Sequence, residues 1–131
     1  MESRLTAGQV AFLKEPHIGH VATVYPNGAP HVTPIWVDTD GEAVLINTSL
    51  GRVKPRNLSR DPRIAISIAD ESNIYRRLVV RGRAELSEEG AAEHINFLNQ
   101  KYHGTPNYPL GPGERRVIVR IVPEHISGNV E

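Results

Sequence analysis

The stretch INTSLGRVKPRNLSRDPRIAISI, residues 46–68, sets two apolar runs on either side of a short cationic connection. Its second half alternates with period two. Ile64, Ile66 and Ile68 fall on one side, and Ala65, Ser67 and Ala69 on the other, as in a strand with one bulky and one small face. The small face either packs closely against a neighbour or leaves room for something flat. Between the runs, Pro55 suits the first turn of a short helix, where its missing N–H costs nothing. Pro62 disfavours helix at the residue before it, so that helix must stop by Asp61. A helix starting at Lys54–Pro55, pinned by Leu58, is therefore expected between two strands.

Working outward, residues 17–25 and 31–38 read as strands around Asn27-Gly28, a strong hairpin signal. A TDG turn leads into a third strand, residues 42–48. After the 63–69 strand comes another at 78–86, where Leu78, Val80, Gly82, Ala84 and Leu86 share a face. The last spans 115–126. Pro34 cannot donate a ladder hydrogen bond and marks its strand as an edge or bulge. Two further helices are expected. Thr6 and Gln9 form a capping box for the first, which Pro16 ends. Ser87 caps the second, with Glu88 and Glu89 in its first turn and Ala91, Ile95, Leu98 and Tyr102 as its apolar stripe. Six strands joined mostly by short turns, with few helices, predict a mostly β, six-stranded antiparallel barrel in one domain, residues 1–131.

Composition narrows the function. Fifteen basic residues balance fifteen acidic ones in a chain of 131, so no basic excess points to nucleic acid or a membrane surface. Aromatics make up only 5% of the chain, too few for a base-stacking platform. The absence of cysteine removes disulfides, thiolate metal sites and cysteine nucleophiles. His17, His20, His31, His94, His103 and His125 are scattered without metal-ligand spacing, so no metal is expected. Phosphate-loop, dinucleotide-fold, nucleophile-elbow and zinc-protease motifs are absent. No apolar run approaches the ~18 residues of a membrane span, and no signal-peptide core is visible. A cytoplasmic protein is expected.

The cations remain. Arg52, Lys54, Arg56, Arg60 and Arg63 crowd against a single acid, Asp61. Free N–H groups at the start of the short helix would face Thr48, Ser49 and Arg52, a ready site for a phosphate or carboxylate. Asn57 could hold either the connecting backbone or the ligand. A solvated polar loop is the plain alternative. An anion site in a barrel with no catalytic constellation suggests a bound cofactor that carries the chemistry.

PHVTPIWVDTDG, INTSLGRVKPRNLSRDPRIAISI and VRGRAEL together resemble the pyridoxamine 5′-phosphate oxidase-like split β-barrel family with the FMN-binding fold. The likeness is greatest to its branch that uses the deazaflavin coenzyme F420, and it spans about residues 13–126. K-x-R-N-L-x-x-D-P is the most specific element. The resemblance implies a homodimer with two cofactor sites at the interface. It places the cofactor phosphate on Thr48, Ser49, Arg52, Lys54 and Asn57. It lays the ring against Thr33, Pro34, Ile35 and Trp36 and the small face of the 63–69 strand. The implied activity is hydride transfer from F420 to a small electron-poor organic substrate. An FMN-dependent oxidase or reductase, or a non-catalytic carrier of the cofactor, are the alternatives. The extra substrate-phosphate contacts of the longer true pyridoxamine phosphate oxidases have no counterpart here. Arg56 and Arg60, at (i, i+4) spacing on the short helix, suit the anionic tail that F420 carries beyond its phosphate. Tyr75, His31 and solvent are each open as proton donor, and no catalytic residue is assigned.

Overall fold

The structure, a computed structural model, describes residues 3–131. It runs α1 (Ala7–Lys14), β1 (Ile18–Val24), β2 (Pro30–Trp36), β3 (Asp38–Thr39), β4 (Val44–Ser49), α2 (Val53–Arg60), β5 (Arg63–Asp70), β6 (Asn73–Ser87), α3 (Ala91–His103) and β7 (Arg116–Gly128). The strands form one antiparallel sheet in the order β2-β1-β5-β6-β7-β4-β3.

One residue forces this sheet to curl. β2 and β3 lie on opposite edges, yet only Val37 separates them in the chain. Six strand spacings of a flat sheet would hold the edges about 29 Å apart, and a single residue cannot bridge that. The sheet therefore closes on itself as a half-barrel with a split where β2 meets β4. Val37 belongs to neither strand, and α3 satisfies its backbone. Its N–H donates to the Tyr102 hydroxyl at 2.9 Å, and its carbonyl accepts from Lys101 Nζ at 2.6 Å. This corrects the expected strand count from six to seven. The run 31–38, read as one strand, is cut at Val37, and Asp38–Thr39 pairs with β4 instead of continuing along β1.

Local signals otherwise set the elements. The capping box of α1 forms, with Gln9 N–H donating to Thr6 Oγ1 at 3.1 Å and Thr6 N–H to Gln9 Oε1 at 2.9 Å. Gly28 turns the β1–β2 hairpin with φ 87°, a value glycine adopts without strain. Pro34 lies on an edge strand. Ile64, Ile66 and Ile68 point inward to join Phe12, Val21, Ile46, Leu78, Val80, Val119 and Ile121 in the core, and Leu58 pins α2 to it. Gly82 sits at a register shift between β6 and β7. A Cβ there would meet the Val122 carbonyl oxygen at 1.9 Å.

Both later helices start elsewhere than expected. α2 begins at Val53 with Arg52 as N-cap, and Pro55 sits inside its first turn; Asp61 caps the far end. α3 begins at Ala91 with Gly90 as N-cap at φ 75° and no side-chain cap. Ser87 instead ends β6, and Glu88 pairs with Arg115 in the connection. The stripe Ala91, Ile95 and Leu98 is buried where α3 crosses β7 and β4.

Candidate functional site

The split holds a pocket of about 320 Å³, at the small end of the ligand-pocket range. Pro34, Ile35 and Trp36 of β2 and Ile95, Leu98 and Tyr108 supply its apolar walls, and Thr48, Arg52, Lys54 and Arg116 its polar one. Trp36 is held by its neighbours. It stacks on Tyr102 at 5.2 Å and meets Tyr108 edge-on at 6.2 Å, geometries that aromatic rings favour.

Three cations face one another across the polar wall. Lys54, about half-buried at the start of α2, has its pKa lowered first by burial and then by the charges of Arg52 and Arg116. An anion placed among them would relieve the repulsion on Lys54, whereas Arg116 already pairs with Glu114 Oε2 at 2.7 Å. Lys54 Nζ donates to Thr33 Oγ1 at 3.2 Å. Thr48 is 1% exposed, and its Oγ1 is without a hydrogen-bond partner among the described residues. A buried hydroxyl left unpaired costs about 1–3 kcal/mol, and this one lines the pocket. The start of α2 adds unpaired backbone N–H groups. Orphaned hydroxyl, helix start and cations together fit a phosphate.

The expected site residues divide. Pro34, Ile35, Trp36, Thr48, Arg52 and Lys54 are brought together in the lining. Thr33 touches it only through Lys54. Ser49 is engaged elsewhere, donating to Glu114 Oε2 at 2.5 Å and accepting from Arg116 Nη1 at 2.9 Å. Asn57 is buried, its Nδ2 donating to Thr23 Oγ1 at 3.0 Å, so it ties α2 to β1. Arg56 and Arg60 are exposed on α2, and Arg60 donates to the Val24 carbonyl. Ala65, Ser67 and Ala69 lie on the outer side of the sheet and do not line the pocket.

A separate cavity of about 600 Å³ between Leu5, Gly41 and Pro123 is larger. Its Arg120 is already paired with Asp40 and Glu85, and its other cation, Arg4, is exposed on the surface.

A family model described as pyridoxamine 5′-phosphate oxidase matches residues 5–128. The chain belongs to that family. A solved structure described as an F420 reductase is 34% identical with a TM-score of 0.82, covering 94% of this chain and 98% of that one. The F420H(2)-dependent biliverdin reductase of Mycobacterium tuberculosis is 25% identical over 98% of this chain and 91% of its own length. The 5a,11a-dehydrotetracycline/5a,11a-dehydrooxytetracycline reductase of Streptomyces rimosus is 27% identical over 67% of this chain and 68% of its own. The half-barrel and its split are thus the family fold in this chain.

Sequence reading missed Arg116, Asn47 and Tyr108. Arg116 is buried at the start of β7, with Nη1 on Glu114 Oε2 at 2.7 Å and its guanidinium 5.1 Å from the Tyr108 ring centre. Hydrogen bonds from Ser49, the Gly111 N–H and Arg116 hold the Glu114 carboxyl down at about 2, so it stays charged beside Arg116. The RRVIVRIV run marks a strand that opens on basic residues, but only its pairing with β4 carries Arg116 to the pocket.

Proposed function

We propose that this protein is an oxidoreductase that uses coenzyme F420 and reduces small, electron-poor organic molecules. The observation that carries the reading is the convergence of Arg52, Lys54 and Arg116 beside the unpaired Thr48 hydroxyl. Relatives named for F420 support it. When bound, the reduced deazaflavin supplies a hydride to the substrate. The chain's own part is to bind, orient and exclude water. Thr48, Arg52, Lys54, Arg116 and the first N–H groups of α2 hold the phosphate. The β2 edge at Pro34 and Ile35 and the stacked Trp36 orient the ring. Arg56 and Arg60, on the exposed face of α2, favour the anionic tail weakly, at about 0.2–1 kcal/mol each because solvent screens them.

A homodimer in the cytoplasm is the working form in this reading. The pocket of one chain is small for a tailed coenzyme. The outer face of β2, β1 and β5 carries Val32, Ala22 and Ala65 in one cross-strand row, with Val32 58% exposed. A second chain on that face would cover it and complete the site.

The test is competitive binding of F420 and FMN at low and physiological ionic strength, followed by turnover of unsaturated substrates with reduced F420. Tighter F420 binding with turnover is expected. Equal or tighter FMN binding in both conditions replaces the reading with an FMN enzyme, and F420 binding without turnover replaces it with a carrier.

A further inference from the structure

His94 stands outside the pocket lining, yet a continuous hydrogen-bonded chain joins it to the buried pocket cation Arg116. His94 Nε2 lies 3.0 Å from Asp38 Oδ2, and its Nδ1 lies 3.0 Å from Asn47 Nδ2. Asn47 Nδ2 also donates to the Ala91 carbonyl at 2.9 Å, and Asn47 Oδ1 accepts from Arg116 Nε at 2.9 Å. Arg116 Nη1 then donates to Ser49 Oγ at 2.9 Å and Glu114 Oε2 at 2.7 Å.

Only one arrangement of protons satisfies this chain. Arg116 Nε is a donor, so the Asn47 oxygen must face it and the Asn47 amide nitrogen must face α3. That nitrogen gives one hydrogen to Ala91, and its second needs an acceptor. His94 Nδ1 serves if it is unprotonated, which places the ring hydrogen on Nε2 toward the Asp38 carboxylate. Asp38 thereby sets the tautomer, His94 the Asn47 amide, and Asn47 the guanidinium. Nε and Nη1 of Arg116 are thus spent on the protein, and among the described residues Nη2 has no acceptor, which leaves it as the free donor of a pocket-lining side chain.

We propose that His94 is a positioning residue that, with Asp38 and Asn47, orients Arg116 toward the phosphate of the bound coenzyme. This rests on the phosphate-clamp reading above. The relay explains why a polar chain that costs desolvation is buried under α3, where apolar side chains would pack as well.

The test compares F420 with its phosphate-free deazaflavin chromophore, titrated by fluorescence against the parent, His94→Leu and His94→Asn, with inorganic phosphate as competitor. His94→Leu removes the acceptor for Asn47, whereas the side-chain oxygen of His94→Asn can replace Nδ1. The expected result is a loss of about three- to tenfold in F420 affinity for His94→Leu. The chromophore should change less than about twofold in the same variant, and His94→Asn should return F420 affinity to near the parent value. Weaker competition by phosphate against F420 in His94→Leu supports the same conclusion. Equal loss for both ligands, no loss for either, or no recovery with His94→Asn overturns the positioning role. If the parent itself binds both ligands equally, the phosphate clamp fails and the relay role falls with it. If His94→Leu does not fold, His94→Asn and Asn47→Leu decide: the first must keep and the second must lose the preference for the phosphate-bearing ligand.

Discussion

Lys54 Nζ donates to Thr33 Oγ1 at 3.2 Å, joining the start of α2 to the edge strand β2 beside the split. The ammonium is therefore held at the pocket wall before any ligand arrives. Lys54→Ala is expected to weaken F420 binding by about 1.5–3 kcal/mol, the range for a hydrogen bond to a charged group. Binding of the parent should also fall at alkaline pH. Burial and the neighbouring arginines lower the pKa of Lys54, so its charge is lost earlier than in a free lysine. Affinity within about twofold of the parent in Lys54→Ala, or an unchanged alkaline limb in Lys54→Gln, would count against the clamp.

Stability should rise through mildly alkaline pH. Burial, opposed only by Asp38, brings the Lys101 pKa down from 10.5 to about 8. The unfolded chain holds that proton where the folded protein has released it, so folding gains between about pH 8 and 10.5. Tyr102 works in the opposite sense from about pH 10 upward. Burial raises its pKa from 10.0 to about 12, so the unfolded chain ionises first and stability falls as pH passes 10. Urea midpoints across this range should climb and then drop in the parent, and Lys101→Met should flatten the climb.

Asn57→Ala should destabilise the fold by about 1–3 kcal/mol, because it leaves the buried Thr23 hydroxyl without its partner. The denaturation midpoint should drop with the slope unchanged. A midpoint equal to the parent's would show that the α2–β1 tie contributes nothing.

Sedimentation at micromolar concentration should give about twice the chain mass. Val32→Asp, which puts a charge on the exposed outer face of β2, should shift the protein toward monomer and weaken F420 binding with it. A parent that sediments as a monomer removes the shared site.

The sequence by itself determined what is local. Period-two alternation placed Ile64, Ile66 and Ile68 in the core, and Asn27-Gly28 set a hairpin. Thr6 and Gln9 capped α1, while Pro55 in the first turn and Pro62 beyond the end fixed a short helix with Arg52 and Lys54 at its start. Each depends on neighbours within about a turn or a strand pair, where backbone sterics and side-chain period act directly. The tertiary structure decided the rest. The curl of the sheet brought β2 against β4, and pairing of β4 with β7 set Arg116 beside Ser49, 67 residues away in sequence. The crossing at Val37 made a seventh strand because α3 satisfied its backbone there. The passage of α3 over β4 turned His94, one of six scattered histidines in the sequence, into the far end of a relay reaching the pocket. Such meetings are fixed by how a whole sheet closes, and no short window of sequence carries that information.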